Sequence, residues 1–166
     1  TLSLHDALPI SILFVCTGNT CRSSMAEALF KDMIKKHHPD KLKDINIISA
    51  GVAARNGDKA SPNAIKAMRE LGIDLSCHSA TQLTEELIKK ADLILTMTQR
   101  HRDMVLIIDP GARGKVYTLI EYTNEGQEEQ INLDIQDPFG GSIEVYRQSA
   151  AQIKKALEIL VEKLVK

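Results

Sequence analysis

The chain has 166 residues, with 21 Lys and Arg against 22 Asp and Glu for a formal charge of −1, and is 43% hydrophobic but only 4% aromatic. That length suits one core, and three Cys are too few to staple it, so a disulfide scaffold, a collagen and intrinsic disorder are all excluded. A near-neutral total removes the broad cationic field that non-specific nucleic-acid binding needs, and an odd number of cysteines leaves a thiol unpaired, which fits a reducing, cytoplasmic compartment.

Residues 1–9 show neither helical nor strand periodicity and read as a non-native leader ahead of a single domain over residues 10–166. A secretory signal ending at Cys16 is disfavoured, because Asp6 interrupts the approach and Val15 is large where cleavage wants a small residue. No apolar run approaches the roughly 20 residues that span a bilayer, so no membrane partner is expected. Residues 10–15 are short, β-branched and apolar, the pattern of a strand buried on both faces of a parallel sheet. A small, polar stretch follows, and a helix is expected from Met25 to about His38, where Pro39 stops it. Residues 45–50 read as a second strand closed by Gly51. Ser61-Pro62 opens a helix with Ala64, Ile65, Ala67, Met68 and Leu71 on one face. Thr84 caps a helix through Ala91, residues 92–97 form a third strand, residues 99–108 a helix, and residues 115–119 a fourth strand. Residues 123–136 are acidic and without pattern. Ile143, Tyr146, Ala150, Ile153, Leu157, Leu160 and Leu164 step by three and four, so a last helix runs from Ser142 nearly to the end. The alternation predicts an α/β fold of three layers: a four-stranded parallel sheet with helices on both faces, Rossmann-like in plan.

In such a sheet a ligand site lies outside the carboxyl ends of the strands, which points to residues 16–23, Cys-Thr-Gly-Asn-Thr-Cys-Arg-Ser. Small residues, with Gly18 free to take positive φ, let backbone N–H groups turn inward as an anion nest, and the next helix adds its positive end. Arg22 supplies a planar fork for two oxygens of a tetrahedral oxyanion. The sequence has no Gly-x4-Gly-Lys-Ser/Thr and no Gly-x-Gly-x-x-Gly, so neither a Walker loop nor a dinucleotide site is expected. Cys16 leads the loop, where amide dipoles and Arg22 favour the nucleophilic thiolate. The bare Cys-x5-Arg spacing is weak evidence, but its place between a buried strand and a helix is what phosphoryl transfer to Cys16 requires. An inert core thiol, or a zinc site from Cys16, Cys21, Cys77 and His78, fits the spacing less well. Asp137 stands in a Pro-Gly-rich turn before a helix, where it can be aimed into a cleft to protonate a leaving group.

The run Val-Cys-Thr-Gly-Asn-Thr-Cys-Arg-Ser-Ser-Met-Ala-Glu-Ala-Leu over residues 15–29 resembles the signature of the low-molecular-weight protein tyrosine phosphatases, and of their bacterial protein arginine phosphatase branch. Ser49-Ala50-Gly51, residues 92–97 and Asp137-Pro138-Phe139-Gly140-Gly141-Ser142 carry the resemblance along nearly the whole chain. Two steps through one phosphoenzyme call for no metal or cofactor, and a monomer is expected. Residues Thr17, Gly18, Asn19, Thr20, Cys21, Arg22 and Ser23 would bind phosphate, and Asp137 would serve as acid and then base on a phosphocysteine. The resemblance further implies that Ser23 donates to the Cys16 sulfur, and that Asn19 is held by a network including Ser49 and His78. Thr20, where tyrosine-specific members carry a larger aliphatic residue, and Phe139, followed by Gly140 instead of a second aromatic, point to phosphoarginine on proteins as substrate. Phosphotyrosine is the runner-up. Thioredoxin-coupled arsenate reduction would need two more cysteines where only Cys77 is left, and a non-catalytic phosphoresidue-binding module would not need both Cys16 and Asp137. Ser24 replaces the usual Pro. Peroxide is expected to close a reversible Cys16–Cys21 disulfide, Cys77 has no role beyond packing, and His101 receives no role.

Overall fold

A computed structural model of the protein describes residues 9–124 and 131–165. Most of the expected leader, residues 1–8, and residues 125–130 of the acidic stretch lie outside that description. The strands are β1 (Ile10–Cys16), β2 (Ile45–Gly51), β3 (Leu93–Thr96) and β4 (Val116–Thr118), all parallel, in the order β2-β1-β3-β4. The helices are α1 (Arg22–His37), α2 (Pro62–Glu70), α3 (Glu85–Lys90), α4 (Gln99–Ile108), α5 (Leu119–Thr123) and α6 (Ile143–Val165), with two short 3-10 segments, Pro39–Asp44 and Pro110–Gly114.

The period-2 geometry of a strand splits β1 between two cores. Ile12 and Phe14 face α1, α2 and α6 through Met25, Phe30, Met68, Ile153 and Leu157, whereas Leu13 and Val15 face α3 and α4 through Ile88 and Val105. This is the expected three-layer α/β architecture. Because the chain leaves β1 for β2 on one side and returns to β3 on the other, the ends of β1 and β3 diverge at a topological switch point, where a crevice opens.

Helix starts follow their caps. Thr84 accepts from the Leu87 N–H, and Thr98 from the His101 N–H. Three expectations are corrected. Helix α1 begins at Arg22, three residues before Met25, because the end of the loop after β1 is itself the first helical turn. The fourth strand stops at Thr118, since Thr118 and Glu121 form a reciprocal capping box that starts α5 at Leu119. Thr123 therefore belongs to a helix, one too short to show periodicity. Ser61 does stand at the N-cap position of α2, but its side chain makes no capping bond.

Candidate active site

Cys16 is the last residue of β1 and Arg22 the first of α1, so the strand end, the turn and the helix start are one continuous device. The left-handed residue that closes the turn is Asn19, at φ 57°, and not Gly18 as the sequence suggested. Asn tolerates that region when its side chain is anchored locally. Asn19 Nδ2 donates to Ser23 Oγ at 2.8 Å and to Ser49 Oγ at 2.9 Å, while Oδ1 accepts from the Thr81 N–H at 2.9 Å. Ser49 passes the tie on to Glu27 Oε1 at 2.6 Å, and His78 Nε2 lies 2.6 Å from the Asn19 carbonyl oxygen. The structure thus brings Asn19, Ser23, Ser49 and His78 into one network, and adds Glu27 and Thr81 to it.

From below, the end of β2 and the residues after it hold the loop by backbone contact. The Val52 and Ala53 N–H groups donate to the carbonyls of Cys16 and Thr17, each at 2.9 Å. A Cβ on Gly51 would collide with the Thr17 carbonyl oxygen and stand 2.9 Å from the Asn19 nitrogen, so only glycine permits this approach. Ser24 donates to the Cys21 carbonyl at 2.8 Å, which ties the first helical turn without the Pro.

The buried Cys16 Sγ lies 2.8 Å from Ser23 Oγ. Arg22 points across the crevice to residues 131–142. Its Nη1 donates to the Ile135 carbonyl at 3.0 Å, and its Nη2 lies 3.4 Å from Asp137 Oδ2, with side chains 5% and 53% exposed respectively. That segment is itself pinned at both ends of the contact. The Ile135 N–H donates to the Met97 carbonyl at 2.9 Å, and Ser149 Oγ donates to the Gln136 carbonyl at 3.0 Å. Asp137 Oδ1 accepts from the Phe139 N–H at 3.1 Å, and the Phe139 ring is 76% exposed. Cys16, Thr17, Gly18, Thr20, Cys21, Arg22, Asp137 and Phe139 enclose a cavity of about 240 Å³. A thiol, a guanidinium and a carboxyl therefore converge on one concave space large enough for a phosphoryl group and part of its carrier.

Three more residues escaped the sequence reading. Tyr146, counted only as part of the apolar stripe of α6, places its hydroxyl 3.4 Å from Cys21 Sγ and accepts from Ser61 Oγ at 3.2 Å; burial first, and then Cys21, push its ionisation up to about 12. Ser61 Oγ also lies 3.3 Å from Cys21 Sγ, which explains its missing cap bond. His101 is 3% exposed, and its ring joins Thr98 Oγ1 at 3.0 Å to Thr17 Oγ1 at 2.8 Å. Burial, followed by Arg22, pushes its ionisation down to about 4; Asp137 and Asp134 oppose the shift and Arg100 adds to it. The Thr-x-x-His spacing was visible in the sequence, but Thr17 lies 84 residues away. Cys77, left with no role beyond packing, is exposed. Among the described residues no three His, Cys, Asp or Glu side chains gather as a metal site, and no helix is long and apolar enough to cross a membrane.

A cysteine-led loop ending in an arginine and an opposed carboxyl, at the switch point of a parallel sheet, define a class, the phosphatases that use a cysteine. The chain belongs to the low molecular weight phosphotyrosine protein phosphatase family, whose model matches residues 11–166. It is 42% identical over 157 residues to the protein-arginine-phosphatase of Bacillus subtilis (strain 168), covering 95% of this chain and 98% of that one. It is also 41% identical over 142 residues to the low molecular weight protein-tyrosine-phosphatase PtpB of Staphylococcus haemolyticus (strain JCSC1435), covering 86% and 91%. A solved YwlE arginine phosphatase, a cysteine-to-serine mutant with a phosphorylated active site serine, matches with a TM-score of 0.82 and 42% identity over 93% of this chain and 95% of that one. The chain is a protein phosphatase.

Proposed function

We propose that this enzyme hydrolyses phosphoarginine on proteins through a phosphocysteine formed on Cys16. In the first step the Cys16 thiolate attacks phosphorus, the S–P bond forms and the P–N bond breaks. Asp137 gives its proton to the departing guanidine nitrogen, while Arg22 and the loop amides hold the non-bridging oxygens as charge builds on them. In the second, the Asp137 carboxylate takes a proton from water as its oxygen attacks phosphorus. The P–S bond breaks, Ser23 donates a hydrogen bond to the leaving thiolate, and inorganic phosphate departs.

The observation that carries this reading is the single cavity walled by Cys16, Thr20, Arg22 and Asp137. Phosphoarginine is preferred because the short, polar Thr20 leaves room beside the phosphoryl position, and Asp137 offers a carboxylate to a guanidinium. Two relatives at 42% and 41% identity carry the name protein-arginine-phosphatase. Phosphotyrosine is the second reading, favoured by the exposed Phe139 ring at the mouth, which could stack on a phenyl group. The test compares kcat/KM for a phosphoarginine protein and a phosphotyrosine peptide, in the parent and in Thr20→Ile. The parent is expected to favour phosphoarginine and Thr20→Ile to shift the ratio towards phosphotyrosine; an unchanged ratio, or a parent that favours phosphotyrosine, removes the substrate assignment. The same site would lose two thiol hydrogens to peroxide, giving a Cys16–Cys21 disulfide and water. A Cys21→Ser enzyme should then be inactivated irreversibly where the parent recovers with dithiothreitol.

A further inference from the structure

The residue after the proposed nucleophile, Thr17, meets an imidazole to which the phosphocysteine scheme gives no part. The ring of His101 spans two hydroxyls, with Nδ1 at 3.0 Å from Thr98 Oγ1 and Nε2 at 2.8 Å from Thr17 Oγ1. Donor counting favours one direction for both bonds. A neutral imidazole has one N–H. Thr98 Oγ1 already accepts the His101 backbone N–H at 3.2 Å as the cap of α4, so its own proton is left to donate, and Nδ1 is the acceptor beside it. The ring proton then sits on Nε2 and is donated to Thr17 Oγ1. In the opposite tautomer Thr98 Oγ1 would accept twice and its hydroxyl proton would turn away from the ring.

With that tautomer Thr17 is held as an acceptor by the buried ring, and its hydroxyl proton turns elsewhere. Thr17 is exposed and walls the cavity beside Cys16 and Arg22. We propose that His101 is a positioning residue for the phosphatase reaction: its Nε2–H fixes Thr17 Oγ1 so that the Thr17 hydroxyl donates to a non-bridging phosphoryl oxygen as charge builds on it. This rests on the reading of Cys16 as nucleophile, because that chemistry brings the phosphoryl group to Thr17. The ring's environment fits the role. Burial and the cations Arg22 and Arg100 outweigh the carboxylates Asp137 and Asp134, so the ring stays neutral and Nδ1 stays an acceptor at ordinary pH.

The test uses the whole chain and a small aryl phosphate, with thermal melting to check folding. Thr17→Val and His101→Leu should each lower kcat about tenfold with KM within about twofold, the size of one hydrogen bond to a charged oxygen. The double variant should fall no further than either single one, since both remove the same bond. His101→Gln, whose amide N–H reaches towards the place of Nε2, should recover most of the loss, a rescue that a merely space-filling role would not give. Orthovanadate, which adopts five-coordinate geometry on a thiolate, should bind Thr17→Val more weakly in step with kcat, while inorganic phosphate inhibits as before. Full kcat in Thr17→Val, losses that multiply in the double variant, or a His101→Gln as damaged as His101→Leu would each overturn the proposal. Since Thr17 is exposed, Thr17→Val decides the matter even where His101→Leu fails to fold. Turnover by Cys16→Ser would instead overturn the phosphocysteine reading; an inactive Cys16→Ser beside a fully active Thr17→Val overturns this inference alone.

Discussion

The two walls of the cavity are built on opposite plans. On one side, residues 16–23 are mostly buried, and the Asn19 side chain alone makes three hydrogen bonds to Ser23, Ser49 and Thr81. On the other, Asp137 and Phe139 stand largely in solvent on a segment anchored behind them at Ile135 and Gln136. The difference follows from what each wall does in the proposed reaction. Groups that stabilise developing charge work best when they need no reorganisation, so the cradle is over-tied. A group that delivers a proton to a leaving group, and a ring that meets the substrate chain, must be reachable from outside. Arg22 joins the two walls, with its backbone in the helix start and its guanidinium on Ile135 and Asp137.

Five perturbations probe that division. Asp137→Asn should lower kcat on a phosphoarginine protein by about 10³-fold, with a much smaller loss on an aryl phosphate whose leaving group departs as an anion; equal losses on both substrates would remove the acid role from the exposed wall. Arg22→Lys replaces a fork that serves both walls with a point charge, and should cost about 10²-fold in kcat/KM. Retention of activity would mean that the loop amides suffice. Gly51→Ala should lower stability by about 2 kcal/mol, read as a drop in Tm, and kcat should fall with it, because the Thr17 carbonyl must move. An unaltered Tm would show that the cradle is softer than its contacts imply.

The fourth probe is pH. His101, held near 4 where about 6.5 is ordinary, is neutral in both folded and unfolded chains above pH 6.5 and contributes nothing to the pH dependence there. As pH falls from 6.5 towards 4 the unfolded chain takes up the proton first, so stability declines by up to about 3 kcal/mol and levels off below 4. The Tm difference between parent and His101→Gln should therefore shrink as pH falls through that window. The smallest effect is expected on the open wall. Phe139→Ala should change stability by no more than about 0.5 kcal/mol and raise KM for a protein substrate severalfold at constant kcat.

The architecture was legible because its signals are local. Apolar runs of strand length and a stripe stepping by three and four are imposed by backbone geometry, and they marked every strand and all but one helix. The exception, α5, carries its Thr-x-x-Glu capping signature in only five residues, too few for a periodic pattern. The Cys-to-Arg loop was legible for the same reason, since a strand end, a tight turn and a helix start lie within eight consecutive residues. Gly18 misled because glycine is the usual occupant of positive φ. The chain instead places Asn19 there and uses its side chain to bolt the turn to β2.

By itself, then, the sequence determined a parallel α/β sheet, a cysteine-led loop at the end of its first strand, and an Asp-Pro turn before the last helix. Only the tertiary structure decided who stands beside whom. Arg22 reaches Ile135 across 113 residues, Cys21 meets Tyr146 across 125, and His101 meets Thr17 across 84. Periodicity reports which face a residue takes on its own element, whereas a polar side chain finds its partner only after strand order has brought two distant loops to the same crevice. Buried polar groups must then be satisfied by whatever that crevice holds.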